Sequence, residues 1–225
     1  MTSSRVLADR RTGRRRGGRR LPILVGRGLV ILGLLSLIAF TADFALGLWQ
    51  QQQLNETWHR QQLAAAATAP PARGGEHSTG PAIDPRPVDG VDFGLRVPRI
   101  GYEAAVAEGT DANVLAGGPG HYPEMAWPGQ RGNVGVAAHN VYWIQFNDLQ
   151  PGDRIVLQSR WGDYTYQVTA KRIVMPDDRT VLVQTGPPRL TLTTCWPLWA
   201  GAFANQRLVI FADQVDPSPS PAQAS

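Results

Sequence analysis

The sequence predicts an all-β domain built as a closed barrel, with short helical turns in its connections and one membrane-spanning helix ahead of it. Three observations carry this. Between Val91 and Asp213 the chain is a series of short β-branched runs separated by Gly, Pro, Asn and Asp, the punctuation of strands and tight turns. No run of about a dozen residues in that interval keeps a helical period. From Gly28 to Trp49 only Asp43 is charged, and at about 1.5 Å per residue that stretch crosses a hydrocarbon core about 30 Å thick.

Residues 1–27 hold nine Arg and one Asp, so the formal charge of +4 hides a basic head on a slightly acidic body. A run such as Arg14-Arg15-Arg16 could bind nucleic acid, but an apolar stretch follows it directly. That is the order found at a membrane, and no nucleic-acid partner is expected. Arginines ahead of the apolar stretch keep the N-terminus cytoplasmic and send everything after Trp49 outside. Residues 28–49 therefore read as a single-pass signal anchor in the cytoplasmic membrane. A cleaved signal peptide is the competing reading, with an apolar core from Gly28 to Phe40 and a small-x-small site at Ala39-Phe40-Thr41. Both readings export the rest of the chain.

Gln50 to Ala67 is rich in Gln and Ala and suits a short helix, whereas Thr68 to Val88 turns to Pro, Gly and small residues, a composition that cannot build a core. Residues 50–90 are expected to form a tether, helical and then flexible. Residues 91–213 form the domain. Its expected strands are Leu95–Val97, Asn133–Ala138, Arg154–Leu157, Tyr164–Val174, Arg189–Thr194 and Arg207–Ala212. Trp161-Gly162-Asp163 reads as a hairpin turn, Pro151-Gly152-Asp153 as a turn into a strand, and Asp111–Ala116 as a helical turn. Residues 214–225 end in a Pro/Ser-rich segment and are expected to be a disordered tail.

The single cysteine, Cys195, excludes an intrachain disulfide framework and any multi-Cys metal site. No run of carboxylates has the spacing of a calcium loop, and no cofactor or metal is expected. Of four histidines, His59 and His77 fall in the tether, and His121 and His139 in the domain. His139 ends the apolar run Val134 to Ala138, and Cys195 ends the run Leu190 to Thr194. A thiol is mostly protonated at neutral pH, so a Cys nucleophile needs a nearby base or positive charge, and His139 can supply the base. Acyl transfer also needs a donor for the developing oxyanion, and Arg207, opening the next strand, could reach back across an antiparallel pair. Taken singly, each fits a plainer role: a satisfied surface His, a core Cys, a strand-edge Arg.

Together these residues resemble a known pattern. Thr191-Leu192-Thr193-Thr194-Cys195, followed by Arg207-Leu208-Val209-Ile210, is similar to the Thr-Leu-x-Thr-Cys and Arg-Leu-Val-Val signatures of the sortases, cysteine transpeptidases of the bacterial surface. The likeness extends through Leu95-Arg96-Val97-Pro98-Arg99-Ile100, Gly109-Thr110-Asp111, Gly118-Pro119-Gly120-His121-Tyr122, Pro128 to Asn133, and then Phe146, Leu149 and Gly152-Asp153. It implies an eight-stranded barrel with Cys195 as nucleophile, His139 as general acid/base, Arg207 as stabiliser of the tetrahedral intermediate and Thr194 as a substrate- or oxyanion-holding residue. The reaction implied is cleavage of an LPxTG-like C-terminal sorting signal of a secreted protein through a thioacyl-enzyme, resolved by an amine of the cell wall or of a pilin subunit. Two features depart from many sortases: Ala138-His139-Asn140 stands where Gly-His-Arg is common, and Trp196-Pro197-Leu198-Trp199 is aromatic and apolar after the cysteine. The compact spacing resembles classes D and E. A peptide-binding module without catalysis and a hydrolytic cysteine peptidase are the alternative functions. His121 is a second histidine of the domain, but the resemblance gives the role of base to His139.

Overall fold

Alternation of apolar and polar residues along short β-branched runs buries one face of each strand and leaves the other free. In the computed structural model, which describes residues 20–68 and 84–217, eight such strands close on one another. They are β1 (Val91–Val97), β2 (Tyr102–Glu108), β3 (Gly120–His121), β4 (Asn133–Ala138), β5 (Arg154–Ser159), β6 (Gly162–Val174), β7 (Arg189–Trp196) and β8 (Gln206–Asp216). Around the closed barrel they follow the order β1-β2-β3-β4-β7-β8-β6-β5. Inward residues such as Phe93, Leu95, Val136, Leu157, Tyr166, Leu190, Leu192 and Ile210 fill the interior and are almost wholly buried. The expected closed all-β barrel is therefore borne out, and closure leaves few free sheet edges.

Two strands went unread. β2 is Tyr-Glu-Ala-Ala-Val-Ala-Glu, a composition with more helix than strand preference, and its strand state comes from pairing with β1 along its whole length. β3 is two residues long and carries no periodic signal. The expected helical turn is α2 (Ala112–Gly117), capped by Asp111, whose carboxylate accepts from the amides of Asn113 and Val114.

The chain divides into residues 1–43 and residues 44–225. The first unit contains the start of α1 (Arg20–Thr68), whose Leu29, Leu32, Leu35 and Ile38 are all exposed. The helix is long and apolar enough to cross a membrane. Most of the basic head, most of the Pro/Gly-rich stretch, His77 and the last residues of the tail lie outside the described residues, while β8 continues to Asp216, past the expected start of the tail.

Within the second unit the outer part of α1 is docked rather than free. Because β3 is so short, the amide and carbonyl of Ala105 are left unpaired on the β3 side of β2, and the helix supplies the missing partners. Asn55 Oδ1 accepts from the Ala105 amide at 2.7 Å, and Gln51 Nε2 donates to the Ala105 carbonyl at 3.3 Å. Farther along, Gln61 Nε2 donates to the Val88 carbonyl. Trp58, 2% exposed, packs with Val91, Ala105 and Leu54. Its indole lies over Gly94, where a Cβ would come within 2.4 Å of Nε1. The Gln-rich composition read as a tether is thus a row of hydrogen-bonding groups for a sheet edge.

Candidate active site

β4 and β7 run parallel, with Ala138 paired to Thr194. Their C-terminal ends therefore reach the same rim, and the residues that follow the matched pair are His139 and Cys195. β8 runs antiparallel to β7 and sets Arg207 opposite Cys195. All three side chains are partly exposed, open to a substrate from outside the barrel. Arg207 Nη1 donates to the Gln206 carbonyl at 3.1 Å, and no carboxylate among the described residues pairs with it. Its charge stays available to a developing anion.

The His139 imidazole is held below its ordinary 6.5, first by burial and then by the positive charge of Arg207. Both causes favour the neutral ring. A tight turn follows, with the Tyr142 amide donating to the His139 carbonyl and the Trp143 amide to that of Asn140. Asn140, where an Arg is common in the resembling family, is buried and reaches through Nδ2 to the Gly201 carbonyl at 3.5 Å. It ties the loop after the histidine to the 3₁₀ turn Leu198–Phe203 after the cysteine.

Thr194 lies on the opposite face of β7 from Cys195, in phase with the inward Leu190 and Leu192. It is 3% exposed, and its Oγ1 has no hydrogen-bond partner. Thr193 shares the outer face, and its Oγ1 stands 3.1 Å from the Tyr122 hydroxyl. Beside this pair runs a groove. A recess of about 180 Å³ is lined by Arg207, Thr193, Tyr122, Arg179 and Leu182. A second, of about 560 Å³, shares Tyr122, Arg179 and Leu182 and continues to Glu124 and Met125. Tyr122 belongs to the Gly118–Tyr122 motif, and its sequence context alone does not place it at the groove. Arg179 and Leu182 carried no local signal, because only the fold of the β6–β7 connection brings them to the rim.

His121 is elsewhere in environment. It is fully buried, with Nδ1 2.9 Å from Asp92 Oδ2 and Nε2 3.1 Å from the Ala126 carbonyl. Its ring meets Phe93 and Trp127 edge-on. A carbonyl can only accept, so Nε2 donates to Ala126, while Nδ1 lies against the Asp92 carboxylate. With both nitrogens engaged, this ring has no lone pair for a substrate. Among the described residues no group of three His, Cys, Asp or Glu is placed to hold a metal ion.

Comparison with known proteins agrees with the geometry. A sortase domain model matches residues 95–215. Sortase D of Bacillus subtilis (strain 168) is 32% identical over 123 residues, covering 54% of this chain and 62% of that protein; the chain thus matches less than two thirds of this relative's length. Among solved structures, the SrtA sortase from Actinomyces oris superposes with a TM-score of 0.54 at 26% identity, covering 62% of this chain and 87% of that one. The Clostridium perfringens Sortase D5 transpeptidase shares the fold, with a TM-score of 0.54 at 22% identity over 74% of this chain and 96% of that one. Since the matched domain takes in more than half of the 225 residues, the chain belongs to the sortase family.

Proposed function

We propose that the chain is a membrane-anchored cysteine transpeptidase whose catalytic barrel lies outside the cytoplasmic membrane. The observation that carries the proposal is the joint register of three strands, with Ala138 beside Thr194 and Cys195 opposite Arg207. In the first half-reaction His139 takes the thiol proton and Cys195 Sγ attacks the carbonyl carbon of a Thr–Gly type bond in an LPxTG-like sorting signal. Arg207 donates to the oxyanion. His139 returns the proton to the leaving amine, and a thioacyl-enzyme remains. In the second half the incoming amine of a cell-wall precursor or pilin subunit loses a proton to His139 and attacks the thioester, forming the new amide and restoring the thiol. The neutral state favoured for His139 suits its part as acceptor. The groove past Tyr122, Arg179 and Leu182 is the place for the peptide.

The test is intact-protein mass spectrometry of the full chain exposed to LPxTG-like peptides, with and without an added amine. A mass increase on Cys195 that is released as an amide when the amine is added is the expected result. Release only as a free acid would make the protein a peptidase. No adduct on a folded protein with an alkylatable thiol would leave a peptide-binding module.

A further inference from the structure

We propose that the loops framing Cys195 and His139 form a lipid-contacting surface, which sets Trp199, Phe203, Val141 and Ile144 into the headgroup boundary of the membrane that anchors the chain. This rests on the anchoring reading of α1 given above.

Trp199 and Phe203 are 84% and 91% exposed, and Val141 and Ile144 are at least half exposed. Four large apolar side chains thus stand exposed on two loops that Asn140 and Gly201 join, a concentration that calls for a partner more than scattered surface leucines do. The loops also lack charge. From Ala138 to Phe146 and from Trp196 to Gln206 there is no Asp, Glu, Lys or Arg, so entering a less polar medium strips water from no fixed charge. By contrast, the β6–β7 connection, which lines the groove, carries Asp177, Asp178 and Arg179. Trp in particular is enriched where headgroups meet acyl chains.

Contacts within the second unit join the end of the apolar stretch to the catalytic rim. The apolar stretch ends at Trp49, and Gln50 to Gln53 follow. Gly47, in that last apolar turn, packs so closely on the barrel that a Cβ would come within 2.4 Å of the Ala116 carbonyl and 2.9 Å of the Tyr142 hydroxyl. Tyr142 belongs to the loop after His139 and donates to that same carbonyl at 2.5 Å. Asn140 of this loop holds Gly201, between Trp199 and Phe203. Three contacts thus step from the end of the apolar stretch to the aromatic pair. At the other end Trp58, about 16 Å farther along the helix axis, packs against Gly94 beside the hairpin that joins β5 and β6. The catalytic rim is thus the end of the barrel against which Gly47, in the last apolar turn, is packed.

The experiment uses the full chain in phosphatidylcholine/phosphatidylglycerol nanodiscs. Cys195→Ala removes the only thiol, and single cysteines at Trp199, Phe203 or Ile144 carry a nitroxide. Leu37→Cys in the apolar stretch and Asp163→Cys on the far hairpin are references. The readout is accessibility to oxygen, which concentrates in lipid, against a water-soluble nickel chelate. Expected is an oxygen-to-nickel ratio several-fold higher at 199 and 203 than at 163, approaching that at 37. Ratios at 199, 203 and 144 equal to that at 163, with 37 lipid-like, would overturn the lipid surface and leave the anchor standing. An aqueous ratio at 37 would overturn both. Exclusion of both reagents from 199 and 203 would mean that protein covers the patch, a second copy or a peptide, and would also overturn the assignment.

Discussion

The two histidines of the domain sit on neighbouring strands, yet their surroundings are opposite. His121 on β3 pairs with Val136 on β4, and β4 runs on for two more residues to deliver His139. The first ring is sealed with Asp92 among aromatic side chains. The second stands at an open rim, where the positive charge of Arg207 acts on it. The difference teaches that the hydrogen-bond partners, rather than the residue type, decide which histidine can exchange protons with a substrate. One pair holds the barrel together, and the other ring is free for chemistry.

The comparison makes a clean separation: changes at the rim should remove activity and spare stability, and changes at the buried pair should do the reverse. The largest effect is expected from Cys195→Ala, which should abolish the thioacyl adduct while its urea unfolding midpoint matches the parent. Retained cleavage of peptide would end the assignment of Cys195. Next comes His121→Phe, which leaves the Asp92 carboxylate buried without its partner and should cost about 3–5 kcal/mol. Turnover per folded molecule should be unchanged, and Asp92→Leu added to it should recover part of the loss. Activity and stability falling together in either variant would dissolve the separation.

Arg207→Gln removes a charged donor from the proposed path of the oxyanion and should lower kcat/KM by about 10²–10³-fold, with little change in unfolding. Arg207→Lys keeps the charge but not the planar fork and should recover only part of the rate. Trp58→Ala tests whether the docked helix belongs to the stability side. It empties the contact over Gly94 and should cost about 3 kcal/mol with kcat unaffected.

The smallest effect is in the pH response. Because the folded state depresses the His139 value below 6.5, the unfolded chain binds the proton more readily between that lowered value and 6.5. Stability from this group therefore falls as pH drops through that window and is level above it. An NMR titration of the imidazole should give a midpoint below 6.5 that rises in Arg207→Gln, where the repelling charge is gone, and stays put in His121→Phe. A midpoint indifferent to Arg207 would separate the two side chains in space.

Much of the barrel was legible because periodicity and turn chemistry are local. Asn133–Ala138 and Arg189–Thr194 announce themselves as strand-like runs, and Asp111–Ala116 as a helical turn. β2 was not legible, since Ala and Glu carry no strand preference and the pairing with β1 overrides them. The outer half of α1 is expected from its composition to be a helical tether. Its Gln51 and Asn55 are polar because they complete the edge of β2 that β3 is too short to cover.

At the site, the sequence alone singled out Cys195, His139 and Arg207, since each ends or opens a strand-like run and their chemistry is complementary. It also determined the apolar stretch and the charge asymmetry around it, which depend on composition only. Tertiary structure decided the rest: that β4 and β7 are parallel neighbours, so that two strand ends meet at one rim; that Thr194 turns inward where Thr193 turns outward; and that His121 meets an aspartate. Each of these depends on which strands pair and in what register, and register is set by long-range closure of the barrel, a quantity no local window of sequence contains.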